Sequence, residues 1–350
     1  MNNRRSERNV TTMHQSVIGR RQVLGGLAAS LFMPALTPSS AIAAEGEQRF
    51  SHVFGEIVLP RPAERVVSLG YTTQDSLLAL GVIPVGIRDW FGDQPSGVWP
   101  WAQAHLNGAE PILIKGNVSI EAVAALKPDL IIGIGSGISE TEYAALSRVA
   151  PVLMQGPEYP AYGMPWDDLV QTVGRAVGKS ERASELVSET RQQIADIRQR
   201  HPDWNGRTAV AAYHYGGETG VFAPEDTRGR FLTELGFTTT PPVAKLGESG
   251  SFYQALSPED LSAIDADLLV WISSDDTASD LVDLPMRRLL SAHSQGREVF
   301  AGGLLAAALS FGSILSLPFV LSTLEVEIAA ALDGDPRTPV PSAVKAGLAP

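Results

Sequence analysis

Two segments set 138 residues apart carry nearly the same text: "SIEAVAALKPDLII" from Ser119 to Ile132, and "SPEDLSAIDADLLV" from Ser257 to Val270. Ser119 matches Ser257, Glu121 matches Glu259, Ala125 matches Ala263, Asp129 matches Asp267 and Leu130 matches Leu268. The apolar positions coincide too, with Val123 over Leu261 and Leu126 over Ile264. Each segment reads as a serine-capped short helix, a turn and a buried strand. A chain that writes one such unit twice at this distance is constrained to two halves of similar plan.

The surrounding elements repeat in the same order. "RVVSLG" (65–70) is a strand, "TQDSLLALGV" a helix stopped by Gly81, and "PVGIR" a second strand. After the first repeat come a glycine-rich loop, the helix "EYAALSRVA" and the strand "PVLMQ". The second half restarts with the strand "TAVAAYHYG" and the helix "GRFLTELGF", and closes with the strand "EVFAGG" and a last helix over about Phe311–Leu332. Strands alternating with helices predict α/β lobes, each a mainly parallel sheet with helices on its faces. Between the halves, residues 180–200 show one narrow apolar stripe (Ala183, Leu186, Val187, Ile194, Ile197) on an otherwise polar helix capped by Ser180. So polar a helix lies along a surface and joins the halves. The expected organisation is an N-terminal lobe over 50–165, a connecting helical segment over 166–203, a C-terminal lobe over 204–332 and a flexible tail over 333–350.

The chain has 350 residues, 44% of them hydrophobic, enough for two domains of ordinary size. It contains no cysteine, which excludes disulfides, thiolate metal sites and a lipidated cysteine anchor. Arg20-Arg21, the apolar run "VLGGLAASLFMPAL" and the small-residue stretch ending at Ala43 read as a twin-arginine export leader over residues 1–43. The apolar run holds two glycines and a proline and is short of the ~20 residues of a membrane span. Removing that leader, with five arginines against Glu7, moves the net charge from −12 to −16. So acidic a protein is a poor partner for nucleic acid or anionic lipid, and no membrane insertion is expected after cleavage.

In open α/β lobes, ligands sit beyond the carboxyl ends of the strands. Those ends carry Tyr71, Arg88, Trp90, Phe91, Trp99, Trp101 and Ser136 in the first half. In the second half they carry Tyr213, His214, Tyr215, Phe252, Tyr253, Ser273 and Ser274. Aromatics make up only 7% of the chain yet gather here, which suits a bulky, partly apolar ligand. Core or lobe–lobe packing is the alternative for each single ring. Arg88 offers a charged contact to a ligand, or else a salt bridge to Asp89 or Asp93; Arg228 and Arg230 are further basic candidates. Glu121 and Glu259 fall where a helix dipole favours a carboxylate, and equally where one acid from each lobe could meet a basic partner.

Taken together, "RVVSLGYTTQDSLLALGVIPVGI", the two repeated segments, the polar helix 180–200 and "LSFGSILSLPFVLSTLE" resemble the periplasmic substrate-binding proteins of ABC importers for iron-siderophores and cobalamin. That resemblance covers about 65–332. It implies two Rossmann-like lobes joined by one long backbone helix, and a periplasmic location. Its cargo would be a ferric siderophore, with no catalytic cofactor and an inner-membrane ABC permease as partner. In the family one glutamate per lobe docks on the permease, and by motif position these are Glu121 and Glu259. Anionic ferric complexes call for several basic residues, so the acidic chain and its one well-placed arginine lean toward a neutral or cationic hydroxamate complex. Cobalamin and haem remain open as cargo.

Rival chemistries lack their residues. Direct metal capture needs converging imidazoles, and the histidines at 52, 105, 201, 214 and 293 are well separated. An exported enzyme is the reading from another class. Yet Ser136 has Ile134 and Ile138 where a nucleophile elbow needs glycines, and "GIGSGI" lacks the third glycine of a dinucleotide fingerprint.

Overall fold

A computed structural model describes residues 47–248 and 251–350. The export leader read over residues 1–43 lies outside the described residues. The first half opens with an antiparallel hairpin, β1 (Gln48–His52) and β2 (Gly55–Leu59), which sequence reading did not anticipate. There follow β3 (Val66–Ser68), α1 (Thr73–Ala79), β4 (Gly86–Arg88), α2 (Pro100–Gln103), β5 (Ile112–Ile114), α3 (Ile120–Ala125), β6 (Leu130–Ile132), α4 (Glu140–Leu146) and β7 (Val152–Leu153). The last five strands, in the order β5-β4-β3-β6-β7, form one wholly parallel sheet. Its central strands are buried at every residue, as a sheet covered on both faces requires.

Two helices lead across to the second half, α5 (Trp166–Ala176) and α6 (Ser180–Arg200). The long helix ends where expected, at Arg200, and Ala183, Val187, Ile194 and Ile197 are buried along its stripe. Its start differs from expectation. Lys179 is the cap residue, without a side-chain bond, while Ser180 is already helical and its carbonyl accepts from the Ser184 hydroxyl. At the far end Arg200 forks onto Glu325 at 2.7 and 2.8 Å, and His201 meets the same carboxylate at 3.0 Å.

The second half holds β8 (Ala209–Tyr215), β9 (Glu218–Phe222), α7 (Thr227–Glu234), α8 (Pro241–Glu248), β10 (Tyr253–Ala255), β11 (Leu268–Ile272), α9 (Ser279–Val282), α10 (Ser291–Ser294), β12 (Glu298–Ala301), α11 (Gly303–Phe311), α12 (Ser316–Ala331) and α13 (Pro341–Ala346). Its sheet runs β10-β9-β8-β11-β12. Strands β8, β11 and β12 are parallel, while β9 and β10 are antiparallel additions. The turn from β8 to β9 is Gly216-Gly217, both at positive φ, a conformation that costs glycine nothing.

Three expectations are corrected here. The second repeat is not helical around Glu259, because its only helical piece is a short 3-10 turn over Ser262–Ile264. Ser257 Oγ accepts the Glu259 N–H and Asp260 accepts the Ser262 N–H, and such local bonds compete with an α-helix. The helix expected over about Phe311–Leu332 begins only at Ser316, as α12, and Phe311 ends a separate helix, α11; between them lies a corner where Ser313 and Ser316 bond each other's backbone N–H at 2.9 and 3.1 Å. The tail is docked rather than loose. Val340, Ala343 and Leu348 are buried, the Ser342 hydroxyl accepts the Phe300 N–H, and Arg287 donates to the Leu348 carbonyl. Its proline-rich composition concealed those three apolar anchors.

Candidate functional site

The first half builds one wall of a cavity from its strand ends. Gly70, just past β3, lies so near the loop after β6 that a Cβ there would stand 2.0 Å from the Ile134 carbonyl oxygen. That contact presents Tyr71 beside Ile134 and Gly135. From the end of β4, Arg88 donates to the Ser136 carbonyl at 2.8 Å, and its guanidinium lies 4.6 Å from the centre of the Tyr71 ring. Tyr71 in turn stacks on Trp90 at 5.2 Å. Trp90 continues into a cluster with Phe91 and Phe311, backed by the parallel-stacked pair Trp99–Trp101, 5.3 Å apart at 3°. Trp90 is 40% exposed whereas Trp99 is 8% exposed, so the first offers a face to a ligand and the second supports it.

The cavity in front of this wall measures about 370 Å³. Tyr71 and Trp90 line it, with Tyr162, Met164 and Trp166 from the segment after β7. Further lining comes from α7, from Phe252 and Tyr253, and from Ser310–Gly312, whose Phe311 packs on Trp90. Of the residues named from sequence, Tyr71, Trp90, Phe252 and Tyr253 border it, and so do the basic candidates Arg228 and Arg230. Arg88, Phe91, Trp99, Ser136, Tyr213 and Tyr215 do not. Each has a physical reason to be elsewhere. Arg88 and Phe91 are spent on the Ser136 carbonyl and on the aromatic cluster, and Trp99 is buried behind it. Ser136 is buried, and its hydroxyl donates to the Gly133 carbonyl. Tyr213 donates to Glu218, and burial, helped by that bond, pushes its phenol up to about 12. Tyr215, 71% exposed, stands at the tip of the hairpin.

Other lining residues went unread. Tyr162 lies in the stretch "PEYPAYGMPW", the same aromatic, Pro/Gly-rich signature that drew attention to Trp90. Phe311 and Glu234 sit at helix ends, and no local signal points to them.

Four charges stand on the wall and offset one another. Asp226, which caps α7, grips Arg228 through Nε at 2.7 Å and through the second nitrogen at 2.8 Å. The same guanidinium lies 3.8 Å over the Phe222 ring and donates to Ser310. Arg230 donates to the Glu225 carbonyl. Glu234 accepts from the Trp166 indole at 3.1 Å, and burial raises its pKa. Two cations and two carboxylates leave the wall with no net formal charge to draw in a polyanion. Among the described residues, no cluster of three or more His, Cys, Asp or Glu side chains could hold a metal ion.

The docking candidates lie on the approach to equivalent strands, since β6 and β11 occupy the same place in their sheets. Glu121 is exposed in the first turn of α3. There the Ser119 hydroxyl caps the helix and donates to it at 2.9 Å, and hydrogen bonds hold its carboxyl below the usual range. Glu259 is exposed in the turn before β11.

A family model described as "Periplasmic binding protein" matches residues 66–297. The chain belongs to this family. Among curated relatives it is 26% identical over 222 residues to the "Probable siderophore-binding lipoprotein YfiY" of Bacillus subtilis, covering 61% of this chain and 65% of that one. It is 28% identical over 195 residues to the "Fe(3+) dicitrate-binding periplasmic protein FecB" of Escherichia coli, covering 56% and 62%. The chain therefore spans just under two thirds of either relative. A solved periplasmic solute binding protein from Mycobacterium smegmatis is similar at 33% identity with a TM-score of 0.72, over 82% of this chain and 99% of that one. The family and the FecB match put this periplasmic binding protein in the periplasm. No helix among its described residues is long and apolar enough to cross a membrane.

Proposed function

We propose that the protein captures a ferric siderophore in the cavity between its two sheets and delivers it to an ABC permease, without transforming it. The observation that carries this reading is an aromatic cavity of about 370 Å³ in a member of a binding-protein family whose similar members are named for siderophores and ferric dicitrate. Within that class the cargo is a hydroxamate complex. The mutual neutralisation of Asp226, Arg228, Arg230 and Glu234 supports a complex of low charge over a tris-catecholate or a citrate. Residues 50–165 and 204–332 act as the two lobes. The segment 166–203, pinned to Glu325 at its end, keeps closure on the cargo small.

Glu121 and Glu259, one from each lobe, seat the loaded protein on arginines of the permease. Replacing both by alanine is expected to leave cargo affinity intact and abolish uptake by cells; lost binding in solution would overturn that division of labour. The cargo itself is tested by tryptophan quenching of the purified protein with ferric hydroxamate, ferric catecholate, ferric citrate, haem and cobalamin. Saturable quenching by the hydroxamate at the lowest concentration is expected. Tighter binding of haem or cobalamin would replace the siderophore reading.

A further inference from the structure

Behind the cavity lies a buried carboxylate that cargo capture does not use. Asp75, in the first turn of α1, is fully shielded from solvent. Its Oδ2 accepts from the Trp101 indole at 2.8 Å and from the Ser313 hydroxyl, which lies 238 residues further along the chain. Its other oxygen has no donor, and neither does the adjacent Gln74 Oε1. A buried carboxylate left half satisfied is worse for stability than an apolar side chain of the same shape. What it supplies is geometry. Just ahead of α1, Tyr71 and Thr72 line the cavity, and so do Ser310–Gly312 and Leu317, on either side of Ser313. Trp101, the second partner, stacks on Trp99 and meets Phe311 edge-on at 5.3 Å.

We propose that Asp75 is a positioning residue of the binding site. Its carboxylate fastens the α11–α12 corner to α1 and so holds Trp101 and Phe311 in the wall. The proposal rests on the cavity being the cargo site, but the fastening itself can be read without cargo.

The strut also carries a pH signature. Burial pushes Asp75 up to about 6, against the opposing hydrogen bonds from Ser313 and Trp101. Charged groups on the elements packed around it are held elsewhere. On α5, Asp167 pairs with Arg191, Asp168 accepts from Tyr159, and Arg175 donates to the Arg49 carbonyl. On α12, Glu325 holds Arg200 and Glu327 accepts the Ser342 N–H, while in the 3-10 turn Ala104–Leu106 that follows α2 only His105 is titratable. Folded Asp75 thus holds its proton more tightly than the unfolded chain does, whose value is 3.8. Its contribution to stability is complete below that value and is lost as pH rises through about 6. Both hydrogen bonds survive protonation, since Oδ2 accepts in either state.

The test compares Asp75→Asn, Asp75→Ala and Ser313→Ala with the parent protein. The stacked Trp99–Trp101 pair gives an exciton band in circular dichroism, assigned with Trp99→Phe, that needs no ligand. Asp75→Ala is expected to lose most of that band and to weaken ferrioxamine B, a ferric trihydroxamate, by about tenfold. Asp75→Asn, which still accepts both bonds, is expected to keep the band and to bind the probe within about threefold of the parent. It should also remove the fall in Tm between about pH 4 and 6. If Asp75→Ala does not fold, Ser313→Ala serves in its place, with weakened probe binding expected and the Trp99–Trp101 band kept. An unchanged band and affinity in Asp75→Ala, unchanged affinity in Ser313→Ala, or a surviving pH slope in Asp75→Asn would overturn the proposal. Should the parent ignore ferrioxamine B, the hydroxamate reading fails while the band still decides the role of Asp75.

Discussion

Asp129 and Asp267 stand at the same point of the two halves and bond the same place, the residues just ahead of the central strand. Asp129 accepts the backbone N–H groups of Glu64 and Arg65, just ahead of β3, at 2.8–3.2 Å. Asp267 accepts the N–H and the hydroxyl of Thr208, just ahead of β8, both at 2.9 Å. Each aspartate pins the start of the central strand to the strand beside it, and the register that follows is parallel in both halves. Eight residues upstream the halves part. Glu121 rides a capped α-helix, while Glu259 rides a turn. The duplicated feature that survives is the one that sets strand pairing. The feature free to drift is the shape of the surface connection, since two hydrogen bonds at a turn serve as well as one helical turn.

The halves differ most in how they close their far edges, and the largest predicted effect lies there. In the second half Glu298 is 2% exposed and accepts from Arg287 at 2.6 Å, from Trp271 at 2.7 Å and from His293 at 2.8 Å. The first half has no buried Arg–carboxylate pair of this kind among the described residues. Glu298→Ala strands the Arg287 charge and is expected to cost about 3–5 kcal/mol in denaturant unfolding. It should also expose the tail, which Arg287 holds by the Leu348 carbonyl, to protease. A cost below about 1 kcal/mol would show the network to be solvated and the comparison mistaken.

Next in size is the contrast between the aromatics at the strand ends. Trp90→Ala is expected to weaken cargo by about 2 kcal/mol, through lost ring area in the wall. Tyr215→Ala in the other half should change quenching titrations by under about 0.5 kcal/mol. Equal losses would mean that the hairpin tip folds over the cargo. Asp129→Ala and Asp267→Ala should each cost about 1–3 kcal/mol. Matching values would sharpen the equivalence of the halves; a gap would trace to their unequal arginine partners, Arg297 at 3.2 Å from Asp267 and Arg61 at 3.7 Å from Asp129. Smallest is Ser119→Ala at about 1 kcal/mol against a few tenths for Ser257→Ala, because only Ser119 caps a helix.

The long helix was legible to within one residue at its start, because one narrow stripe on a polar chain has only one periodic solution. The repeat was legible because strand pairing needs its apolar run and its aspartate. The β8–β9 hairpin was legible in principle, since "YHYGGETG" carries a glycine pair between residues of strand character, but it was passed over as the end of one strand. In the cavity, Tyr71 and Trp90 were found because they directly follow buried strands. Phe311, Glu234 and Asp75 come to the site through helix packing, and a pairing such as Asp75 with Ser313 leaves no trace in local spacing.

The missing space at Gly70 has a consequence for which guests the protein can accept. With the Ile134 oxygen where a methyl group would sit, and Arg88 stitched to the Ser136 carbonyl, three loops of the first half form a single cast rim. A bulkier guest cannot be accommodated by spreading them. Accommodation falls to the opposite side, where Tyr253 is 59% exposed, so variants that broaden the range of cargo are to be sought in α7 and β10.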